Sequence, residues 1–108
     1  MSGSGGSGGG GGDVGYELSC DQLKFEAQLT SPQPAVVASL KVGDVLDIDV
    51  ANMKGQVIVQ VLKGKQAAGG LAGPDATRLR NCMEQGNKYK ATVRSVNGGQ
   101  VRVVVEHI

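Results

Sequence analysis

Aromatic side chains are nearly absent. The 108 residues hold two tyrosines, one phenylalanine and no tryptophan. Barrels that grip single-stranded nucleic acid without sequence preference stack bases on several rings, each worth roughly 1–3 kcal/mol. Here the candidates are Tyr16, Phe25 and Tyr89, and the last two fall on inward positions by strand alternation. A stacking platform is therefore excluded. Histidine is equally scarce: His107 stands alone, and no serine or cysteine has a base at a recognisable spacing. That argues against an enzyme and leaves no catalytic residue to name. The two cysteines, Cys20 and Cys82, lack the paired spacing of a zinc site, so neither a metal nor another cofactor is expected. A disulfide between them is geometrically open, but for a cytoplasmic protein the favoured expectation is a buried Cys82 thiol packing as a small hydrophobe. No run approaches the roughly 20 apolar residues of a membrane span. No charged segment followed by an apolar one succeeds Met1, so the expected location is cytoplasmic, with no membrane partner.

Glycine is abundant and unevenly placed. Nine of the 18 glycines lie in the first 15 residues, among Ser2, Ser4 and Ser7. Residues 1–15 read as a disordered Gly/Ser tail, because glycine maximises chain entropy and offers nothing to bury. The tail has no arginine, which sets it apart from arginine-glycine RNA-binding tails. Residues 16–108 then form one small domain with a single modest core.

Within that domain a period of two dominates. Leu23, Phe25, Ala27 and Leu29 alternate with polar residues, as do Leu46, Ile48 and Val50, then Val57, Val59 and Val61. Tyr89, Ala91 and Val93 alternate with Lys88, Lys90, Thr92 and Arg94, and Val101, Val103 and Val105 close the series. Each run predicts a half-buried strand. Asn52 to Gly55 and Asn97-Gly98-Gly99 are hairpin turns, with Gly55 suited to positive φ. Ala35 to Leu40 is long enough for one helical turn, and Gln66 to Leu71 for a short extended piece. One helix is well signalled. Pro74 and Asp75 open it, Ala76, Leu79, Cys82 and Met83 make an apolar stripe, and Gly86 ends it.

Five antiparallel strands with a helix between the third and fourth predict a mainly β domain, a small barrel of the OB-like or SH3-like kind. A β-grasp sheet is the alternative. The segments Leu40-x-x-Gly43-Asp44-x-Leu46, Val57-x-Val59, Gly69-Gly70-Leu71 with Ala76 and Leu79, and Gly86-x-x-Tyr89-x-Ala91-x-Val93 resemble the HIRAN domain pattern over about residues 40–96. HIRAN domains are small barrels beside helicase and nuclease modules, some of which bind the 3′ end of single-stranded DNA. The resemblance implies a barrel. It does not extend to an end-reading loop, where this chain has only Asn52 to Gly55. The chain is also similar to small bacterial proteins with a glycine-rich start.

Charge is balanced overall at +1 but not along the chain. Residues 1–50 carry two lysines against seven carboxylates, and residues 51–108 carry nine Lys/Arg against three carboxylates. On the outward side of the last two strands, Lys88, Lys90, Arg94 and Arg102 form a basic stripe, with Lys63 and Lys65 near one end. Such a stripe can track a phosphate backbone in a salt-dependent way, although exposed strands also carry lysine to block edge pairing. Outward apolar residues, Val45, Ile58, Leu62 and Val104, suit a protein partner if they cluster, and a sheet edge could accept a strand. Asp47 and Asp49 read as a solvated strand face. The glycine run Gly69, Gly70 and Gly73 reads as a flexible turn feeding the helix, without the Lys-Ser/Thr ending of a phosphate loop. The expected function is non-enzymatic binding, of nucleic acid through the basic stripe or of protein through the apolar residues or an edge.

Overall fold

A computed structural model describes residues 19–108. The Gly/Ser tail, and the disorder expected of it, lie outside the described residues. A 3-10 turn, Cys20–Gln22, leads into β1 (Lys24–Gln28). The chain then forms α1 (Pro34–Val37), β2 (Val45–Met53), β3 (Gln56–Lys63), β4 (Gln66–Leu71), α2 (Pro74–Glu84), β5 (Tyr89–Asn97) and β6 (Gln100–His107). The fold is mainly β, as the alternation predicts. Among the described residues there are six strands rather than five, and two α-helices rather than one.

All six strands join one antiparallel sheet in the order β1-β6-β5-β2-β3-β4. The sheet is open, so the closed five-stranded barrel is not what forms. Its two edges nevertheless meet at one point. Beyond β1, Leu29 still pairs to Val101, and then Thr30 and Gly70 exchange both backbone hydrogen bonds at 2.8 Å. Gln33 adds a bond to the Ala68 carbonyl. This seam corrects the reading of Gly69 and Gly70 as a turn. Both are strand residues, and neither has positive φ. A Cβ on Gly69 would lie 3.0 Å from both Leu29 Cβ and the Thr30 carbonyl oxygen. Glycine is present because another backbone passes too close for a side chain. Gly73, by contrast, has φ of +91° and caps α2.

The hairpins follow from their turn residues. Lys54 and Gly55 both have positive φ, as do Gly98 and Gly99, the backbone that matches the twist of tightly joined strands. The inward faces of the strands make the core. Val61, Val101, Val103 and Val105 are completely buried. Ala76, Leu79 and Cys82 of α2 and Val36 and Val37 of α1 pack onto it. Pro34 and Pro74 each stand in the first turn of a helix, where a missing N–H costs nothing.

Cys20 and Cys82 are joined by a disulfide that bridges 62 positions, with Cα atoms 5.5 Å apart. It fastens the 3-10 turn to α2. Around it, the Tyr89 hydroxyl donates to the Cys20 carbonyl. The Cys82 carbonyl accepts from the Asn87 amide at 3.2 Å and from its side chain at 2.9 Å. His107 shares a hydrogen bond with Asn87 at 3.0 Å and packs edge-on against Tyr89, so its ring is engaged in structure. Burial pushes the Tyr89 phenol above its ordinary value, with the nearby Asp21 carboxylate acting in the same direction. No helix among the described residues is long and apolar enough to cross a membrane.

Candidate interaction surface

Strand register decides which outward side chains become neighbours. Across the outer face of the sheet, Lys24 of β1 stands opposite Glu106 of β6. Glu106 stands opposite Lys90 of β5, and Lys90 opposite Asp47 of β2. The signs alternate along this row. Directly opposed opposite charges attract weakly at an exposed face, and Lys24 Nζ lies 3.8 Å from Glu106. Lys90, the centre of the expected basic stripe, therefore sits between two carboxylates. Asp47 belongs to this charge row rather than to a metal cluster, and no such cluster exists among the described residues.

Arg94 and Arg102 are governed by a β-bulge. Pairing of Thr92 with Val104 would, if continued, set Arg94 directly against Arg102. The register instead slips between Val93 and Ser95, so Ser95 faces Arg102 and Arg94 becomes the extra residue. Both arginines then converge on one acid from β1. Arg102 Nε donates to Glu26 Oε2 at 2.8 Å, and Arg94 Nε lies 3.4 Å from Glu26 Oε1. The Arg102 hydrogen bond, outweighing desolvation and helped by the charges of both arginines, holds the Glu26 carboxyl below the usual carboxylate range.

The remaining basic residues lie apart. Lys63 donates to the Ser39 carbonyl at 2.9 Å and to its hydroxyl at 3.1 Å, pinning the segment after α1 to β3. Lys65 is exposed in the turn before β4, and Lys88 is exposed before β5. The structure thus brings Lys90, Arg94 and Arg102 onto one face, but interleaves them with Glu26, Glu106 and Asp47. Sequence reasoning missed Glu26 as their partner, because nothing local links residues 26 and 102.

The apolar candidates also divide. Between the charged rows runs a third row, where Glu26 faces Val104, Val104 faces Thr92, and Thr92 faces Val45. Val45 is 62% exposed, and Val42 in the preceding loop is 69% exposed. Gly43 ties that loop to the sheet through its amide and the Val93 carbonyl, at 2.8 Å. A groove of about 650 Å³ results, lined by Phe25, Val42, Thr92 and Val104, with Lys24, Glu26, Arg94 and Glu106 around it. Val104 lines this groove, and Val45 stands outside its lining, across Thr92 in the same row. Ile58 lies elsewhere, in a groove with Met53 and Gly70, and Leu62 in a cleft with Asp47 and Met83.

No family model matches this chain, and neither a curated protein nor a solved structure matches it. The residues that carry the HIRAN-like pattern do have an identifiable structural role. Leu40, Leu46, Val59, Leu71, Ala76, Leu79, Tyr89, Ala91 and Val93 are buried, and Gly43 and Gly86 have positive φ.

Proposed function

We propose that this domain is a non-enzymatic protein-interaction module that docks an extended partner segment across the outer face of β1, β6, β5 and β2. The observation that supports this reading is the apolar row Val104–Thr92–Val45, together with the exposed Val42, held between the alternating row Lys24–Glu106–Lys90–Asp47 and the arginines Arg94 and Arg102. An apolar side chain of the partner would cover that row, while flanking charged residues meet Glu26, Arg94 and Lys90. Mixed sign is the reason protein is favoured over nucleic acid, since a phosphate backbone crossing this face meets the carboxylates Glu26, Glu106 and Asp47 among its cations.

Two measurements test the proposal. Peptides selected by the wild-type protein from a displayed random library should share an apolar residue flanked by charges, and should bind the Val45→Asp/Val104→Asp variant at least tenfold more weakly. Short single- and double-stranded oligonucleotides, titrated at about 50 mM salt where phosphate contacts are strong, should leave the amide chemical shifts of residues 88–102 unchanged. Salt-reversible shifts in that stretch would replace this reading with nucleic-acid binding. Selection of peptides indifferent to the double substitution would place the docking surface elsewhere.

A further inference from the structure

The disulfide is placed to be opened. Cys82 is buried, but Cys20 is only partly so. Both line a cleft of about 460 Å³ beside α2, together with Thr77, Arg78, Asn81 and Gln85. Of the two cysteines lining this cleft, Cys20 is the more exposed to an entering thiol. Arg78 stands four residues before Cys82 on the same helix, and so on the same side. Arg78 lines the same cleft as Cys82, and a cation near a cysteine makes its thiolate a better leaving group.

What the disulfide holds is otherwise lightly attached. The turn Cys20–Gln22 contributes no buried residue of its own. Its internal backbone bonds are those of the Gln22 amide to the Ser19 carbonyl at 2.9 Å and of the Leu23 amide to the Cys20 carbonyl at 3.4 Å, and the Ser19 hydroxyl adds exposed bonds to the Asp21 and Gln22 side chains. Apart from the disulfide, the Tyr89 hydroxyl anchors it through the Cys20 carbonyl. Immediately after it, Leu23 is buried and β1 is fully paired to β6. Loss of the bridge would therefore free the turn while leaving the sheet intact.

We propose that Cys20–Cys82 is a reversible thiol–disulfide exchange site, attacked at Cys20 Sγ by a small cellular dithiol, whose reduction releases the turn Cys20–Gln22 from α2. In the first step a dithiol thiolate forms a sulfur–sulfur bond to Cys20. The Cys20–Cys82 bond breaks, and its electron pair leaves on Cys82 Sγ, which takes a proton from water. In the second step the other dithiol sulfur, as thiolate, closes on its own partner and expels the Cys20 thiolate, which is protonated in turn. The protein gains two electrons and two protons, and the dithiol becomes a cyclic disulfide.

Dithiothreitol serves as the dithiol, and a mass-labelled monothiol traps the intermediate. Air-oxidised protein should show no titratable thiol, and protein treated with dithiothreitol should show two. Acid-quenched protein from a monothiol incubation should carry the label on the peptide containing Cys20. Amide exchange at Gln22 and Leu23 should quicken at least tenfold on reduction and approach the unprotected rate, while amides of β5 and β6 quicken by no more than the loss of global stability and stay protected. The same comparison on Cys20→Ser/Cys82→Ser should show no response to dithiothreitol. Two free thiols after air oxidation, label on Cys82, or unchanged exchange at Gln22 and Leu23 would each overturn the proposal. The first three readouts use the wild-type chain, so they stand even if the double variant fails to fold.

Discussion

Replacing Gly69 with alanine would test whether the sheet edges truly meet. The added Cβ would lie 3.0 Å from Leu29 Cβ, 3.0 Å from the Thr30 carbonyl oxygen and 3.3 Å from Leu29 Cδ1. Two of these three atoms are backbone or fixed to it, so relief requires the segment after β1 to move off β4. Overpacking of this kind costs about 1–3 kcal/mol. The same movement weakens the paired Thr30–Gly70 hydrogen bonds, each worth about 1 kcal/mol net. Alanine recovers up to about 1 kcal/mol by restricting the unfolded chain. The balance is a loss of about 2 kcal/mol, read as a fall in Tm of roughly 10 °C for a domain this small. Urea unfolding would measure it directly. Gly70→Ala is the internal comparison. There the close atom is the Thr30 side-chain oxygen at 2.9 Å, and the next is the Val59 carbonyl at 3.4 Å. Thr30→Ala should therefore rescue Gly70→Ala but leave Gly69→Ala as unstable as before, a coupling visible in a double-mutant cycle. A Gly69→Ala protein as stable as the wild type would show that the two edges are not in contact, and the account of the seam would fail.

Two further outcomes follow from the same contacts. Reducing the disulfide, which spans 62 positions, should lower stability by about 4 kcal/mol on the chain-entropy account; an unchanged urea midpoint in dithiothreitol would refute the bond. Glu26 titrates below its ordinary value of 4.5 in the folded protein. Its pairing with Arg102 and Arg94 thus stabilises the fold above that pH and is lost as pH falls through the lowered value. Wild-type protein should lose more stability than Glu26→Gln between pH 6 and 3. The difference should shrink in high salt, because the pair is exposed, and equal pH profiles would count against the pairing.

The inward faces were largely legible from alternation, because a strand's side chains have a strict period of two; Val57, expected inward with Val59 and Val61, is instead 43% exposed at the hairpin end of β3. Val101, Val103 and Val105, and across from them Ala91 and Val93, are buried as that period requires. Helix α2 was legible from its ends and stripe, and the two tight hairpins from their glycines. These features depend on residues a few positions apart. Strand β4 was not. Gln66–Leu71 is built from glutamine, alanine and glycine, residues with little intrinsic preference for a strand, and only pairing with β3 and the approach of Thr30 make it one. The outward face was the least legible part. A stripe of cations is visible along β5 and β6, but its neutralisation depends on Glu26 arriving from β1, on Asp47 arriving from β2, and on a bulge at Arg94. The bond between Cys20 and Cys82 likewise spans most of the described chain. Alternation was enough to say which side of β1, β2, β5 and β6 faces the core. The tertiary structure alone decided which outward residues became neighbours, because register between distant strands is set by packing of the whole sheet and not by any local period.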